Sequence, residues 1–522
     1  MHRVATLALV AACSHPPSAP RTAPARTQLV VLIVVDQLSA WAFERDRSQF
    51  TGGFARLLRE GGYVRDGELP YANTFTAPGH ASIGTGTPPS VHGIVGNTWF
   101  RRGEARERDA EYDPAASVLR VGISHGGDLA GETGSASALR VDGIADALRR
   151  QHPTARSIAI GLKARAASFV VGKRPELAVW YDPAAGGMTT SRGYASAAPD
   201  WLVTLATTKP ASRFFTQSWT PLDAGRLARM TGIADDAPGE GDAARLGVAF
   251  PHDLGASDAP AKAMLHTPFA DEIVFDAAIA SLDAMQLGAD DVPDLLAICF
   301  NAHDFAGHLW GPDSWETVDL TLRLDALLGR LFDTLDARLG KAGWAVVLTS
   351  DHGITPIVDR SHRGRRITTI ELRDAIAPGI GVLDVISGNV YLDKPDEAAL
   401  ASATAALAKV PNIAAAARTD QIAGHCETRT GLDRALCYSI VDGESGDIMV
   451  VPAAGSLITD YKTGTHHDAP FADNRHVPIL VMAPGLSPRT GTGTILQIAP
   501  TVAALLGISP PATATSGPLF GL

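Results

Sequence analysis

The stretch Gln28–Asp36, Q-L-V-V-L-I-V-V-D, is a continuous β-branched run that ends in a carboxylate. Apolar residues at every position, rather than at every second one, suit a strand covered on both faces at the centre of a helix-flanked sheet. Similar runs recur at Ser157–Gly161, Leu295–Phe300, Trp344–Ser350 and Ile479–Ala483, with helical patterns between them over Ser137–Arg150 and Ser314–Leu339. Strands alternating with helices predict an α/β fold, a three-layer α/β/α sandwich around a central mostly parallel sheet. Three of the runs end directly in polar residues: Asp36, then Asn301-Ala302-His303-Asp304, then Ser350-Asp351-His352. Ligands of open α/β sheets collect at the carboxyl ends of the strands, so this convergence is the first functional signal.

Between about Thr368 and Tyr461 the texture changes to an Ala-rich helix (Glu397–Lys409), short strands (Asn389–Leu392, Asp447–Val451) and a polar loop holding Cys426 and Cys437. This pattern predicts an α+β insertion over 368–461 that divides the core into 28–367 and 462–522. The last strand then lies near Ile479. The whole chain of 522 residues suits two to four structural units. With 45% hydrophobic and 19% charged residues, disorder and a coiled coil are excluded. A net charge of −11 argues against a general nucleic-acid binder, which needs a basic face. Four Cys are too few for a disulfide-built scaffold. Cys426 and Cys437 are placed to pair in an oxidising compartment, and Cys299, inside an apolar run, reads as a buried small hydrophobe.

At the N-terminus, Met1–Ala12 carries a short basic start and an apolar stretch from Val4, at the short end for a signal segment. Val10-Ala11-Ala12-Cys13 resembles the bacterial lipobox, in which the Cys is lipidated, and the Pro/Ala-rich residues 13–27 read as a tether. An ordinary secretory signal, or a chance Cys, is the plainer alternative. The expectation is an exported protein, periplasmic or an outer-membrane lipoprotein of a Gram-negative bacterium, meeting the membrane only through that anchor.

The candidate ligands are Asp36, Asp304 and His308 in D-F-A-G-H, Asp351 and His352 in S-D-H-G, and His467 in G-T-H-H-D. Asp304 and His308 are four apart, on one face if the segment is helical. Mixed nitrogen and oxygen donors suit zinc better than magnesium or calcium, which prefer all-oxygen shells. A lone strand-end Asp is more often a helix cap, so the weight lies in their joint occurrence. The remaining piece is Tyr71–Gly86, Y-A-N-T-F-T-A-P-G-H-A-S-I-G-T-G. Pro78 marks a helix first turn near Thr76, and such an N-terminus offers free N–H groups to an anion. Taken alone, Thr76 reads better as a helix cap.

Together these segments resemble the alkaline phosphatase superfamily, in its type I phosphodiesterase/nucleotide pyrophosphatase branch, and most of all the bacterial phosphate-irrepressible alkaline phosphatases with a threonine nucleophile. The resemblance runs from Val30 to Gly485. It implies that Thr76, in T-x-P-x-H with His80, is the nucleophile and that Asn97, in H-G-I-V-G-N, binds a phosphoryl oxygen. It implies two Zn²⁺ ions, one held by Asp36, Thr76, Asp351 and His352, the other by Asp304, His308 and His467. Lys163 and Arg165 match the K-x-R of the monoesterase group, whose dianionic phosphoryl group leaves oxygens free for cationic contacts.

The departures are few. His466 competes with His467 as ligand, although counting back from Pro470 favours His467. His476 is a candidate for orienting a ligand. His303 stands where the family often has a small hydroxyl residue and is given no role. Thr76 followed by A-P-G removes sulfatase chemistry, which needs Cys or Ser. The implied activity is zinc-dependent hydrolysis of phosphorylated small molecules, as monoesters, through a phosphothreonine. The alternatives are a phosphodiesterase or nucleotide pyrophosphatase on the same metals, or a non-catalytic surface binder with a decayed site.

Overall fold

The computed structural model describes residues 27–121, 128–361 and 364–522. The expected signal segment, Cys13 and nearly all of the tether lie outside the described residues.

Leu29–Val35 is a strand buried along its whole length. Its side chains alternate between two cores: Leu29, Val31, Ile33 and Val35 face one, while Val30, Leu32 and Val34 face the other. Both faces of the strand are therefore dry, and each such side chain contributes about 1.5–3 kcal/mol over an exposed one. The long helices Pro268–Ala284 and Trp315–Leu339 cover the first face. Helices Ile144–Gln151 and Ile498–Leu506 cover the second. The expected three-layer α/β/α sandwich is the observed one.

The central sheet has eleven strands. Its middle is parallel, in the order Trp344–Thr349, Leu29–Val35, Asp294–Phe300, Ser157–Gly161 and Leu177–Asp182. Antiparallel strands extend it on either side, among them His476–Met482 against Trp344–Thr349 and Gly187–Ser191 against Leu177–Asp182. The register sets Val35 beside Phe300 and Val34 beside Thr349, so the polar residues that follow each strand emerge at one sheet edge.

One expected helix is shorter than its pattern. Ser137–Arg150 forms a helix only over Ile144–Gln151. The chain opens at Gly143, whose N–H donates to the Asp146 carboxylate at 2.8 Å, and a side chain at Gly143 would meet Gly172 at 2.5 Å. Ala136 and Leu139 instead pack in a separate cluster with Ile94 and Trp99.

The insertion is a second, four-stranded antiparallel sheet in the order Val382–Ile386, Asn389–Leu392, Ile448–Pro452 and Ile413–Arg418. Helices Thr369–Ala375 and Glu397–Leu407 pack into its core through Leu372, Leu400, Ala403 and Leu407. On its other side lies helix Gly431–Ser439, tied to the preceding loop by a Cys426–Cys437 disulfide. Cys299 is free and buried. No helix of the described residues is long and apolar enough to cross a membrane.

Candidate active site

Thr76 is the first residue of the helix Thr76–Thr85, and the cap position before it belongs to Phe75. The threonine hydroxyl is therefore not consumed as a cap. It lies 3.5 Å from Nε2 of His352 and 3.5 Å from Nζ of Lys163. Asn97 reaches the same helix end: its Oδ1 accepts the Ala77 N–H at 2.8 Å, so the amide nitrogen Nδ2 is the side chain's donor.

Asp304 and His308 do share a helix, Ala302–Trp310, and His308 Nε2 stands 3.3 Å from Asp304 Oδ1. His467 Nε2 approaches the same oxygen at 3.6 Å. His352 Nε2 lies 3.5 Å from Asp36 Oδ1 and 3.4 Å from Asp351 Oδ2. Donor atoms of Asp36, Asp351 and His352 fall within 4.8 Å of one another, as do those of Asp304, His352 and His467. His352 thus stands between the two groups that the sequence separated, its ring stacked on that of His467 at 3.8 Å.

All three imidazoles are oriented alike. Nδ1 of His308 faces the Thr465 carbonyl at 2.9 Å, Nδ1 of His352 the Gly353 carbonyl at 2.9 Å, and Nδ1 of His467 the Thr74 carbonyl at 2.5 Å. A carbonyl only accepts, so each Nδ1 carries the proton and each Nε2 lone pair is left for a metal. Asp36 Oδ1 and Asp351 Oδ2 are buried with no hydrogen-bond partner among the described residues. Buried oxygens without donors and three lone pairs aimed inward fit divalent cations.

The electrostatics agree. Burial, with Asp304 and Asp351 alongside, pushes the Asp36 carboxyl up to about 6. Burial works the same way on Asp304, but Lys163, followed by His308, holds that carboxyl well below its ordinary range. The Lys163 ammonium bridges the clusters, 2.8 Å from Asp36 Oδ2 and bonded also to Asp304. Burial, with His352 and His466 nearby, holds His467 well below its ordinary value and therefore neutral.

Thr76, Asn97, Lys163, Arg165, His308 and His467 line one open cavity of about 570 Å³, together with the rings of Phe305 and Tyr461. A cavity holding a threonine hydroxyl, an amide donor, two cations and a carboxylate–imidazole cluster suits an anionic group. The family model for type I phosphodiesterase / nucleotide pyrophosphatase matches residues 30–476.

The chain belongs to that family.

It is 28% identical to the alkaline phosphatase PafA of Elizabethkingia meningoseptica, over 95% of this chain and 94% of that one. It is 30% identical to the alkaline phosphatase PhoV of Synechococcus elongatus, over 93% and 91%. The solved structure of wild-type PafA matches with a TM-score of 0.85 at 26% identity, over 96% of this chain and 100% of that one. A PafA variant substituted at a threonine, an asparagine, a lysine and an arginine matches at 0.87 and 26% identity, over 95% and 99%.

In this member of the type I phosphodiesterase / nucleotide pyrophosphatase family, several residues with no signal of their own support the site. Gln37, in a left-handed conformation (φ 71°), donates from Nε2 to Asp304 Oδ1 at 2.6 Å and from its N–H to Asp351 Oδ1 at 3.2 Å. Asn301 donates to Asp36 Oδ2 at 2.8 Å and accepts from the Leu162 N–H at 2.8 Å. His80, visible in sequence only as a spacing mark, donates from Nδ1 to the Thr76 carbonyl at 2.9 Å and only passes Asp351 Oδ2, at 3.1 Å. Glu111, buried, lies 3.3 Å from Arg165 Nε. His476, by contrast, opens a strand opposite Glu68 and stands beside Asp473, so the orienting work expected of it falls to Gln37 and Asn301. His466 lines the cavity with its ring stacked on His467, yet it is His467 whose Nε2 turns to Asp304. His303 is buried on the ligand helix.

Proposed function

We propose that this chain is a two-zinc alkaline phosphatase that hydrolyses phosphate monoesters through a phosphothreonine on Thr76. That it is a phosphatase follows from its family and from its relatives named alkaline phosphatases. The observation that carries the monoester reading is the presence of Lys163 and Arg165 in the same cavity as Thr76 and Asn97. The substituted PafA variant adds support: its threonine and asparagine are 21 apart and its lysine and arginine two apart. Thr76 and Asn97, and Lys163 and Arg165, have the same types and spacings.

Asp36, Asp351, His352 and the Thr76 hydroxyl would hold one ion, and Asp304, His308 and His467 the other. The mixed donor set favours zinc over harder cations. Such a pair supplies Lewis-acid charge that lowers the pKa of a bound hydroxyl or water and stabilises a leaving alkoxide. Thr76 Oγ1 attacks phosphorus, its O–P bond forming as the bond to the alcohol breaks; the hydroxyl proton passes to solvent, and the departing alkoxide takes one from it. Water then cleaves the Thr76 O–P bond, releasing phosphate and restoring the hydroxyl. Asn97 Nδ2, Lys163 and Arg165 hold the non-bridging oxygens, whose charge is greatest on a monoester. No side chain need act as general acid.

The substrates on this reading are phosphorylated small molecules. Export, with a lipid on Cys13 as the membrane attachment, is supported by the Met1–Cys13 pattern and by the Cys426–Cys437 bridge, which suits an oxidising compartment.

The test is a pH-controlled kinetic comparison of an aryl phosphate with its aryl methyl diester on zinc-loaded protein. Higher kcat/KM on the monoester is expected. A preference for the diester would replace this reading with the phosphodiesterase one.

A further inference from the structure

The insertion sends one side chain into the scaffold of the catalytic loops. Ser439, at the end of the disulfide-tied helix Gly431–Ser439, is fully buried. Its Oγ accepts the N–H of Ala72 at 2.7 Å and that of Asn73 at 3.1 Å, and donates to the Ala435 carbonyl at 2.9 Å. A hydroxyl has two lone pairs and one hydrogen, so this one is saturated.

From there the connections lead to the reacting groups. Asn73 is three residues before Thr76, and its Nδ2 donates to the Val95 carbonyl at 2.7 Å, two residues before Asn97. Asn97 Oδ1 in turn accepts the Ala77 N–H at 2.8 Å. The segment from Asn73 to Ala77 and the segment from Val95 to Asn97 are therefore stapled at both ends. Thr74, inside the first segment, donates its hydroxyl to the His467 carbonyl and receives the His467 Nδ1–H at 2.5 Å. Apolar packing of Ala435, Leu436 and Ile440 against Ala72 seats the helix, and the Cys426–Cys437 bond closes the loop that leads into it.

We propose that Ser439 is a positioning residue for the phosphatase reaction, through which the insertion fixes Thr76, Asn97 and His467 relative to one another. Losing it leaves the Asn73 N–H without its acceptor and frees the backbone three residues from the attacking oxygen. A displacement of that kind raises the barrier without removing any group that touches substrate, so kcat falls while KM hardly moves.

This inference rests on Thr76 being the nucleophile, and the experiment separates the two. Ser439→Ala, Asn73→Ala, the double variant and Thr76→Ala are loaded with zinc as full chains. Metal content, melting temperature, kcat and KM for an aryl phosphate are then measured on each. The expected loss in kcat for Ser439→Ala is about 10- to 100-fold per zinc-loaded folded molecule. The double variant should fall no further than the worse single, because both act through one segment. A lowered melting temperature with unchanged kcat would mean a purely structural role and would overturn the proposal, as would losses that multiply. Should Ser439→Ala not fold, Asn73→Ala carries the same expectation alone. A dead Thr76→Ala beside a normal Ser439→Ala overturns the inference only, whereas an active Thr76→Ala overturns the nucleophile assignment and the inference with it.

Discussion

The guanidinium Nε of Arg165 lies 3.3 Å from Oε1 of Glu111, a buried carboxylate 54 residues earlier in the chain. The contact ties the cation to a buried side chain, so its remaining N–H groups are directed rather than free to wander. Glu111→Gln keeps the shape and removes the charge. The expected result is a loss of about tenfold in kcat/KM for a monoester, equivalent to roughly 1.4 kcal/mol, with a smaller loss for a diester. Steady-state kinetics on both substrates check this. An unaffected monoester rate would mean that Arg165 does not depend on Glu111.

Removing Lys163 and Arg165 together tests the choice between monoester and diester. Each charge-assisted contact that tightens in the transition state is worth ~2–4 kcal/mol, roughly 30- to 1,000-fold in rate. The double alanine variant should lose several orders of magnitude on a monoester and much less on a diester. Equal losses, with zinc content intact, would reduce the pair to scaffolding. Lys163 also bonds Asp36 and Asp304, so metal analysis has to accompany the kinetics.

Metal analysis should find about two zinc ions per chain, removable by chelator with loss of activity and restored by zinc. His467→Ala should lose bound metal and activity, because its Nε2 is the nitrogen turned to Asp304. His466→Ala should keep both metals. The reverse ranking would shift the ligand by one residue.

Gly79 sits against the candidate ligand Asp351: a Cβ there would lie 2.5 Å from the Asp351 carbonyl oxygen and 2.7 Å from the Asp351 Cβ. Backbone cannot yield as a side-chain tip can. Gly79→Ala should cost about 1–3 kcal/mol in stability, by the usual scale of overpacking. It should also weaken zinc binding, because the displaced residue is a candidate ligand. Thermal unfolding and zinc titration of the variant decide it, and unchanged affinity would show that the helix Thr76–Thr85 can shift alone.

The support for the site was far less legible than its candidate ligands. Asp36, Asp304, Asp351 and His352 announce themselves because each follows an apolar run, and period and polarity are local properties of a chain. Gln37 and Asn301 follow the same runs, but an amide has no pattern that separates a ligand holder from a turn residue. Glu111 and Ser439 carry no local mark at all. Ser439 becomes meaningful only because it meets Ala72 and Asn73 across 367 and 366 positions.

By itself the sequence determined that strands buried on both faces form the centre of an α/β sandwich, because hydrophobic burial rewards any arrangement that dries both faces of Leu29–Val35. It also determined the donor types, and hence the kind of metal they suit. Only the tertiary structure decided that His352 stands between the two groups of candidate ligands and that Nε2 of His467, which the count back from Pro470 favoured, turns to Asp304. It alone decided that the insertion helix meets the segment leading into Thr76. Those outcomes depend on register, ring orientation and hydrogen bonds between residues far apart in the chain, and such contacts exist only after the core has packed.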